Sequence, residues 1–205
     1  ERLNEFASVV SHDLRNPLNV AQGRLALALE EDEPVGDHLE QAKQAIDRSL
    51  DLIGDVLSLA REGLELGTVE AITMVAVLEE CWQNVETADA TLDLETDRVI
   101  RADRSRFQQL LENLLANAVE HGGPEVTITV GDLERGFYVE DDGPGIPEAD
   151  RETVFEPGFS TGDKGTGFGL SIVERIATAH GWTVAITEAE SGGARFEFTG
   201  VECVG

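Results

Sequence analysis

The sequence predicts an α+β protein: a helical hairpin that forms a dimeric four-helix bundle, followed by an α/β sandwich with a mixed, mostly antiparallel sheet. Three observations predict it. Apolar residues recur every three to four positions through residues 1–62. Beyond Gly63–Thr68 the pattern changes to short alternating runs between helical stretches. Glycines then cluster at Asp141–Leu170, where a strand ends and a helix begins. The expected domains are 1–66 and 67–205.

In the first segment Phe6, Val9, Val10, Leu14, Leu18, Ala21, Leu25 and Leu29 form a helical stripe over residues 1–31. Pro34 and Gly36 break the chain at Asp32–Gly36. A second stripe follows from Asp37 to Glu62: Leu39, Ala42, Ile46, Leu50, Ile53, Val56, Leu57 and Ala60. Two helices joined by a short loop pack as an antiparallel hairpin. Pairing with a second copy buries both stripes in a homodimer; the alternative is packing on the rest of the same chain.

Gly63–Thr68 is the expected linker. Met74–Glu86 reads as a helix, and Thr91–Leu94 and Arg98–Arg101 as short strands. Asp103 suits the N-cap of a helix to Glu120, ended by His121-Gly122-Gly123-Pro124. Strands follow at Glu125–Asp132 and Gly136–Glu140. A helix over Gly167–His180 stops at Gly181. Strands at Trp182–Glu188 and Ala194–Thr199 flank a Ser191-Gly192-Gly193 turn.

Composition narrows the function. The 205 residues carry a net charge of -26, which leaves no basic footprint for nucleic acid. An acidic surface of this density suits work in concentrated salt, where repulsion is screened, so a halophilic host is expected. Cys81 and Cys203 make neither a disulfide framework nor a metal cluster, and a reduced, cytoplasmic setting is the default. No apolar run approaches the length that spans a bilayer. The chain begins at Glu1 and reads as a piece of a longer protein, so any membrane attachment is expected through a segment outside it.

Two sets of residues promise chemistry. In Ser11-His12-Asp13-Leu14-Arg15-Asn16-Pro17, Asp13 can fix the His12 tautomer and leave Nε2 to attack, although adjacent helical residues diverge and the contact is a sideways one. Asn16, one turn on, shares the His12 face and can orient a water. Pro17 removes one helical hydrogen bond and should bend the helix. In the second segment Asp141 closes a strand, where its carboxylate can accept from an amino group such as adenine's. The glycine-rich turn Gly165–Gly169 aims N–H groups and a helix dipole at an anion, most simply a phosphate. Asn113 and Asn117 share one helix face. Either they bond to nearby backbone, or the Asn117 oxygen ligates a hydrated Mg²⁺ that bridges phosphates.

These segments resemble the boxes of sensor histidine kinases. HDLRNP is similar to the phosphoacceptor box, NLLANA to the asparagine box, DDGPGI to the first glycine box, FEPGF to the phenylalanine box and GTGFGL to the second glycine box. Their order matches too, and the resemblance covers nearly the whole chain. It implies autophosphorylation of His12 by ATP, with Asp13 as acid/base partner, and relay to an aspartate of a response-regulator receiver domain. Asn16 would hold the water when the protein dephosphorylates that partner. Residues 67–205 would be the ATP-binding domain. Asn117 would bind Mg²⁺, with Asn113 nearby, and His121 would stand beside the base that Asp141 reads. Gly143 and Gly145 would let the lid pass close, and Phe155 and Phe159 would anchor it. Gly165, Thr166, Gly167, Phe168, Gly169 and Leu170 would line the nucleotide. Lys164 either meets the γ-phosphate or is a solvated charge.

Glu120, His121, Asp142 and Phe168 depart from the residues usual at their positions. One alternative is a hydrolytic ATPase of the same superfamily, of the gyrase or chaperone type. Those carry a water-activating glutamate where Asn113 stands, four residues before the Mg²⁺ asparagine. The other is a dimeric scaffold that binds nucleotide only as a signal.

Overall fold

The computed structural model describes residues 2–29, 35–60, 66–85, 87, 89–159 and 167–204; side chains of 2–13, 15, 47, 48, 51 and 55–60 are left aside. The chain divides into two compact units, Glu1–Arg61 and Glu62–Gly205.

The first unit is a hairpin of α1 (Arg2–Ala28) and α2 (Val35–Ala60). Helix α1 runs through Pro17 without interruption. Helix α2 begins two residues before the expected Asp37. Val35 and Gly36 are already helical. Ala21 of α1 and His38, Ala42, Ala45, Ser49 and Leu52 of α2 are buried within the hairpin. The larger apolar side chains Leu39, Ile46, Leu50 and Ile53 stay exposed, as do Leu18 and Leu25. The small Ala21, Ala42 and Ala45 let the two helices approach closely, with Leu52 the one large aliphatic side chain buried among the described residues of the hairpin.

The second unit contains two sheets. Strands β1 (Val69–Thr73), β3 (Val99–Asp103) and β8 (Cys203–Val204) form a small antiparallel sheet in the order β1-β3-β8. The larger sheet has the order β2-β4-β5-β7-β6, with β2 (Thr91–Glu95), β4 (Thr127–Leu133), β5 (Gly136–Asp141), β6 (Thr183–Glu188) and β7 (Ala194–Thr199). Only β2 and β4 pair in parallel. The mixed, mostly antiparallel expectation is met; the small sheet was not foreseen.

Helices α3 (Met74–Asn84), α4 (Arg104–Gly122) and α5 (Gly169–Ala179) complete the sandwich. Alternate residues Ile128, Val130, Phe137, Val139, Phe196 and Phe198 bury one face of the large sheet. Phe107, Leu110, Leu111, Leu114 and Leu115 of α4 and Ile172, Val173 and Ile176 of α5 are buried with them. Phe107, Phe137 and Trp182 meet edge to face at 5.7–6.2 Å, and Phe137 stacks on Phe198 at 4.7 Å. The opposite face of the sheet is polar. There Arg195 lies 3.6 Å over the Tyr138 ring and bonds Glu140 and Glu197, while Tyr138 donates to Glu95.

Other boundaries also differ from the sequence reading, most of the strands by one or two residues. Helix α3 ends at Asn84 rather than Glu86, and α4 runs on to Gly122, where Gly123 takes φ 99° and donates to the Val119 carbonyl. Helix α5 starts at Gly169 rather than Gly167, because Gly167 is at φ 71°, outside helical space.

Candidate functional site: a nucleotide pocket along helix α4

Helix α4 is set at its start by Asp103, whose Oδ1 accepts from the N–H groups of Ser105 and Arg106 at 3.0 and 3.2 Å. The apolar stripe then turns Asn113 and Asn117 to one side, both half-buried. A β-carbon on Gly169 would come within 2.9 Å of Asn113 Oδ1 and 3.6 Å of Asn117 Nδ2. The asparagine box and the second glycine box therefore meet. Asn113 also donates from Nδ2 to the Gln109 carbonyl at 2.8 Å, so it serves the backbone as well.

Helix α5 opens at this point. Phe168 precedes it and supplies no side-chain cap. Its ring is fully buried, so Phe168 can offer a ligand only its backbone. Leu170 is half-buried beside it. An uncapped first turn of N–H groups, with the dipole behind them, matches an anion. Gly167 is held where the Gly158 N–H donates to its carbonyl at 2.9 Å. A side chain there would strike the Gly158 backbone at 2.8 Å.

The other end of α4 carries the second half. Gly143 packs on Gly122, and a β-carbon at Gly143 would stand 2.7 Å from the Gly122 Cα. Asp141 is 9% exposed, and its Oδ1 accepts from Gly143 N–H at 2.9 Å and Ala194 N–H at 3.3 Å. Burial lifts its carboxyl above the usual aspartate value; the two N–H bonds and nearby His121 oppose this, and Asp142 adds to it. Asp142 turns to the start of β4 instead, accepting from Thr127 N–H at 2.8 Å. Gly145 takes φ 71° against the Gly192 carbonyl.

Sequence reasoning missed Gly193. A β-carbon there would lie 1.9 Å from the Asp141 carbonyl oxygen, and Ser191 Oγ donates to the same oxygen at 3.3 Å. The β6–β7 turn is thus a wall of the Asp141 site. Arg151 was missed too: its Nε donates to the Ile146 carbonyl at 3.0 Å and holds the loop after Gly145.

Residues 113 to 122 rise about 14 Å along α4 at helical pitch. Asp141 and Gly143 stand at one end of that stretch and Gly169 at the other, a separation suited to a base and its phosphates. No group of three His, Cys, Asp or Glu side chains that could hold a metal occurs among the described residues. A Mg²⁺ ion at this site would therefore find no cage of protein carboxylates among the described residues, and the Asn117 amide oxygen is a donor of the type it accepts. Lys164, Gly165 and Thr166 lie outside the described residues, as do the side chains of His12 and Asp13. Of the phosphoacceptor box, Asn16 is exposed on α1.

Fold and pocket together define an ATP-binding α/β sandwich preceded by a helical hairpin, and the comparisons agree. Residues 2–65 match the family model of the His Kinase A (phospho-acceptor) domain, and residues 102–200 that of the histidine kinase-, DNA gyrase B- and HSP90-like ATPase. The sensor histidine kinase ZraS of Escherichia coli O157:H7 is 32% identical over 95% of this chain and 45% of its own length. The catalytic domain of histidine kinase ThkA is 30% identical, covering 64% of this chain and 94% of that domain, with a TM-score of 0.55. Full-length ShkA in complex with AMPPNP is 27% identical over 98% of this chain and 46% of that one, with a TM-score of 0.67. The chain belongs to the sensor histidine kinase family. It spans less than half the length of curated relatives such as ZraS.

Proposed function

We propose that this chain is the catalytic core of a two-component sensor kinase, divided at residues 1–66 and 67–205, which phosphorylates His12 with ATP. Asp141 accepts from the adenine amino group, His121 stands beside the base, and Gly143 and Gly145 keep the floor open. Asn117, with Asn113 beside it, would hold a Mg²⁺ ion that would neutralise phosphate charge, and Gly165–Leu170 give N–H groups to the phosphates. His12 Nε2 attacks the γ-phosphorus, the bond to the ADP oxygen breaks, and ADP leaves. Asp13 holds the imidazole in the tautomer that leaves Nε2 free. The phosphoramidate then passes its phosphoryl group to a receiver aspartate, and Asn16 holds the water that hydrolyses the aspartyl phosphate when the protein dephosphorylates that partner. Positioning and charge neutralisation supply the acceleration.

The observation that carries this reading is the meeting of Gly169 with Asn113 and Asn117. The alternative of water as acceptor is disfavoured by Asn113, an amide bonded to Gln109, where a hydrolytic ATPase of the superfamily carries a glutamate. Exposed Leu39, Ile46, Leu50 and Ile53 support a homodimer. No helix among the described residues is long and apolar enough to cross a membrane. ATP chemistry and free cysteines suit the cytoplasm. The charge suits a salt-rich one. The test is incubation with γ-labelled ATP. Alkali-stable, acid-labile label that vanishes in His12→Gln supports the kinase; free phosphate without labelled protein supports an ATPase.

A further inference from the structure

Asp103 joins three parts of the catalytic unit that are far apart in sequence. Its Oδ1 caps α4, its Oδ2 accepts from Gly67 N–H at 2.6 Å, and its own N–H donates to His180 Nε2 at 3.0 Å. Gly67 is the exposed end of the linker, and a β-carbon there would already touch Asp103 Oδ2 at 3.0 Å. His180 closes α5, where Nδ1 meets the Ile176 carbonyl at 2.8 Å and the ring stacks on Trp182 at 4.4 Å. Helices α4 and α5 carry the two faces of the phosphate end. Their far ends are tied to one another, and to the entering chain, through this single aspartate.

From this junction we infer that His180 is a positioning residue for phosphoryl transfer, holding Asp103 so that the linker leaves the catalytic unit from a fixed point at Gly67. The inference rests on the kinase reading for its consequence, but not for its geometry. To accept the Asp103 N–H, the imidazole must be neutral with its proton on Nδ1, which then donates to Ile176. Burial favours that form by pushing the imidazole below the usual histidine value, against the Ile176 bond and the Asp103 charge. Without the acceptor, the Asp103 N–H must turn toward water, and the carboxylate that grips Gly67 turns with it. The nucleotide contacts, set by Asn113, Asn117, Gly169 and Asp141, are not part of the junction. The effect therefore falls on delivery rather than on affinity.

The experiment uses His180→Phe, which keeps the stack on Trp182 but has no acceptor, and His180→Gln, whose amide can accept and donate in place of the ring. In the whole chain, amide exchange at Gly67 should quicken roughly tenfold in the Phe variant and return toward wild type in the Gln variant. Autophosphorylation at saturating ATP should fall roughly tenfold in the Phe variant with KM for ATP unchanged, and Gln should restore it. Unchanged Gly67 exchange in His180→Phe overturns the junction, and so does a KM that rises in step with the loss of rate. A wild-type chain that forms no phosphohistidine overturns the kinase reading instead, and Gly67 exchange still decides the junction.

Discussion

A β-carbon on Gly169 would stand 2.9 Å from Oδ1 of Asn113, an oxygen whose amide is already held by the Gln109 carbonyl. The first residue of α5 and the middle of α4 are thus fitted to each other where we propose that the phosphates bind. In Gly169→Ala the Asn113 side chain must swing away. Its amide is the end of a flexible side chain, and alanine suits a helix better than glycine, so stability should change by less than about 1 kcal/mol. Nucleotide affinity should fall roughly tenfold, and Asn113→Ala should abolish most of that penalty in the double variant. Fluorescent-nucleotide titration of the four proteins reads the coupling; strictly additive losses would contradict the contact.

Gly193 has no such latitude, because the atom in the way is backbone. A β-carbon there would overlap the Asp141 carbonyl at 1.9 Å. Gly193→Ala should cost about 2 kcal/mol of stability and weaken nucleotide binding together. Urea unfolding checks the first part, and an unchanged midpoint would show that the β6–β7 turn is not a rigid wall.

The Asp141 carboxyl gives the pocket a pH dependence. The carboxylate is the form that accepts an amino N–H, and burial raises its pKa, so affinity should decline at a higher pH than for an ordinary aspartate. The linkage to folding has the opposite sign. A raised value stabilises the fold below the unfolded pKa, and that contribution is lost as pH rises through the folded one. The ratio of wild-type to Asp141→Asn affinity for ADP, which cancels titration of the phosphates, should fall with acid. A ratio constant with pH would remove Asp141 from base recognition.

Much of this site was legible because it rests on local patterns. The i, i+4 pair Asn113/Asn117 and the glycine clusters announce themselves by spacing, and the structure brings Gly169 to both asparagines. What escaped depends on distant partners. His180 looks structural in sequence, yet the N–H it accepts belongs to a residue 77 positions earlier. Gly193 reads as a hairpin glycine, and only the pairing of β5 with β7 sets it against Asp141. Strand β1 gave no period because one of its five residues is buried, and β8 has only two residues. Phe168 sits in a nucleotide motif but sends its ring into the core.

Charge should govern stability. With a net charge of -26, self-repulsion is relieved as the screening length shrinks to about 3 Å in molar salt. The melting temperature should climb by several degrees, roughly 5 °C or more, between dilute buffer and molar KCl. Equal melting in both would dispose of the salt-adapted reading.

The most direct measurement is the intact mass of the chain after ATP and Mg²⁺, with the sample kept alkaline and the modified peptide sequenced. The account predicts one phosphoryl group on His12, absent from His12→Gln and nearly absent from Asp141→Ala. Turnover of ATP to ADP and free phosphate while His12 stays unmodified would contradict it.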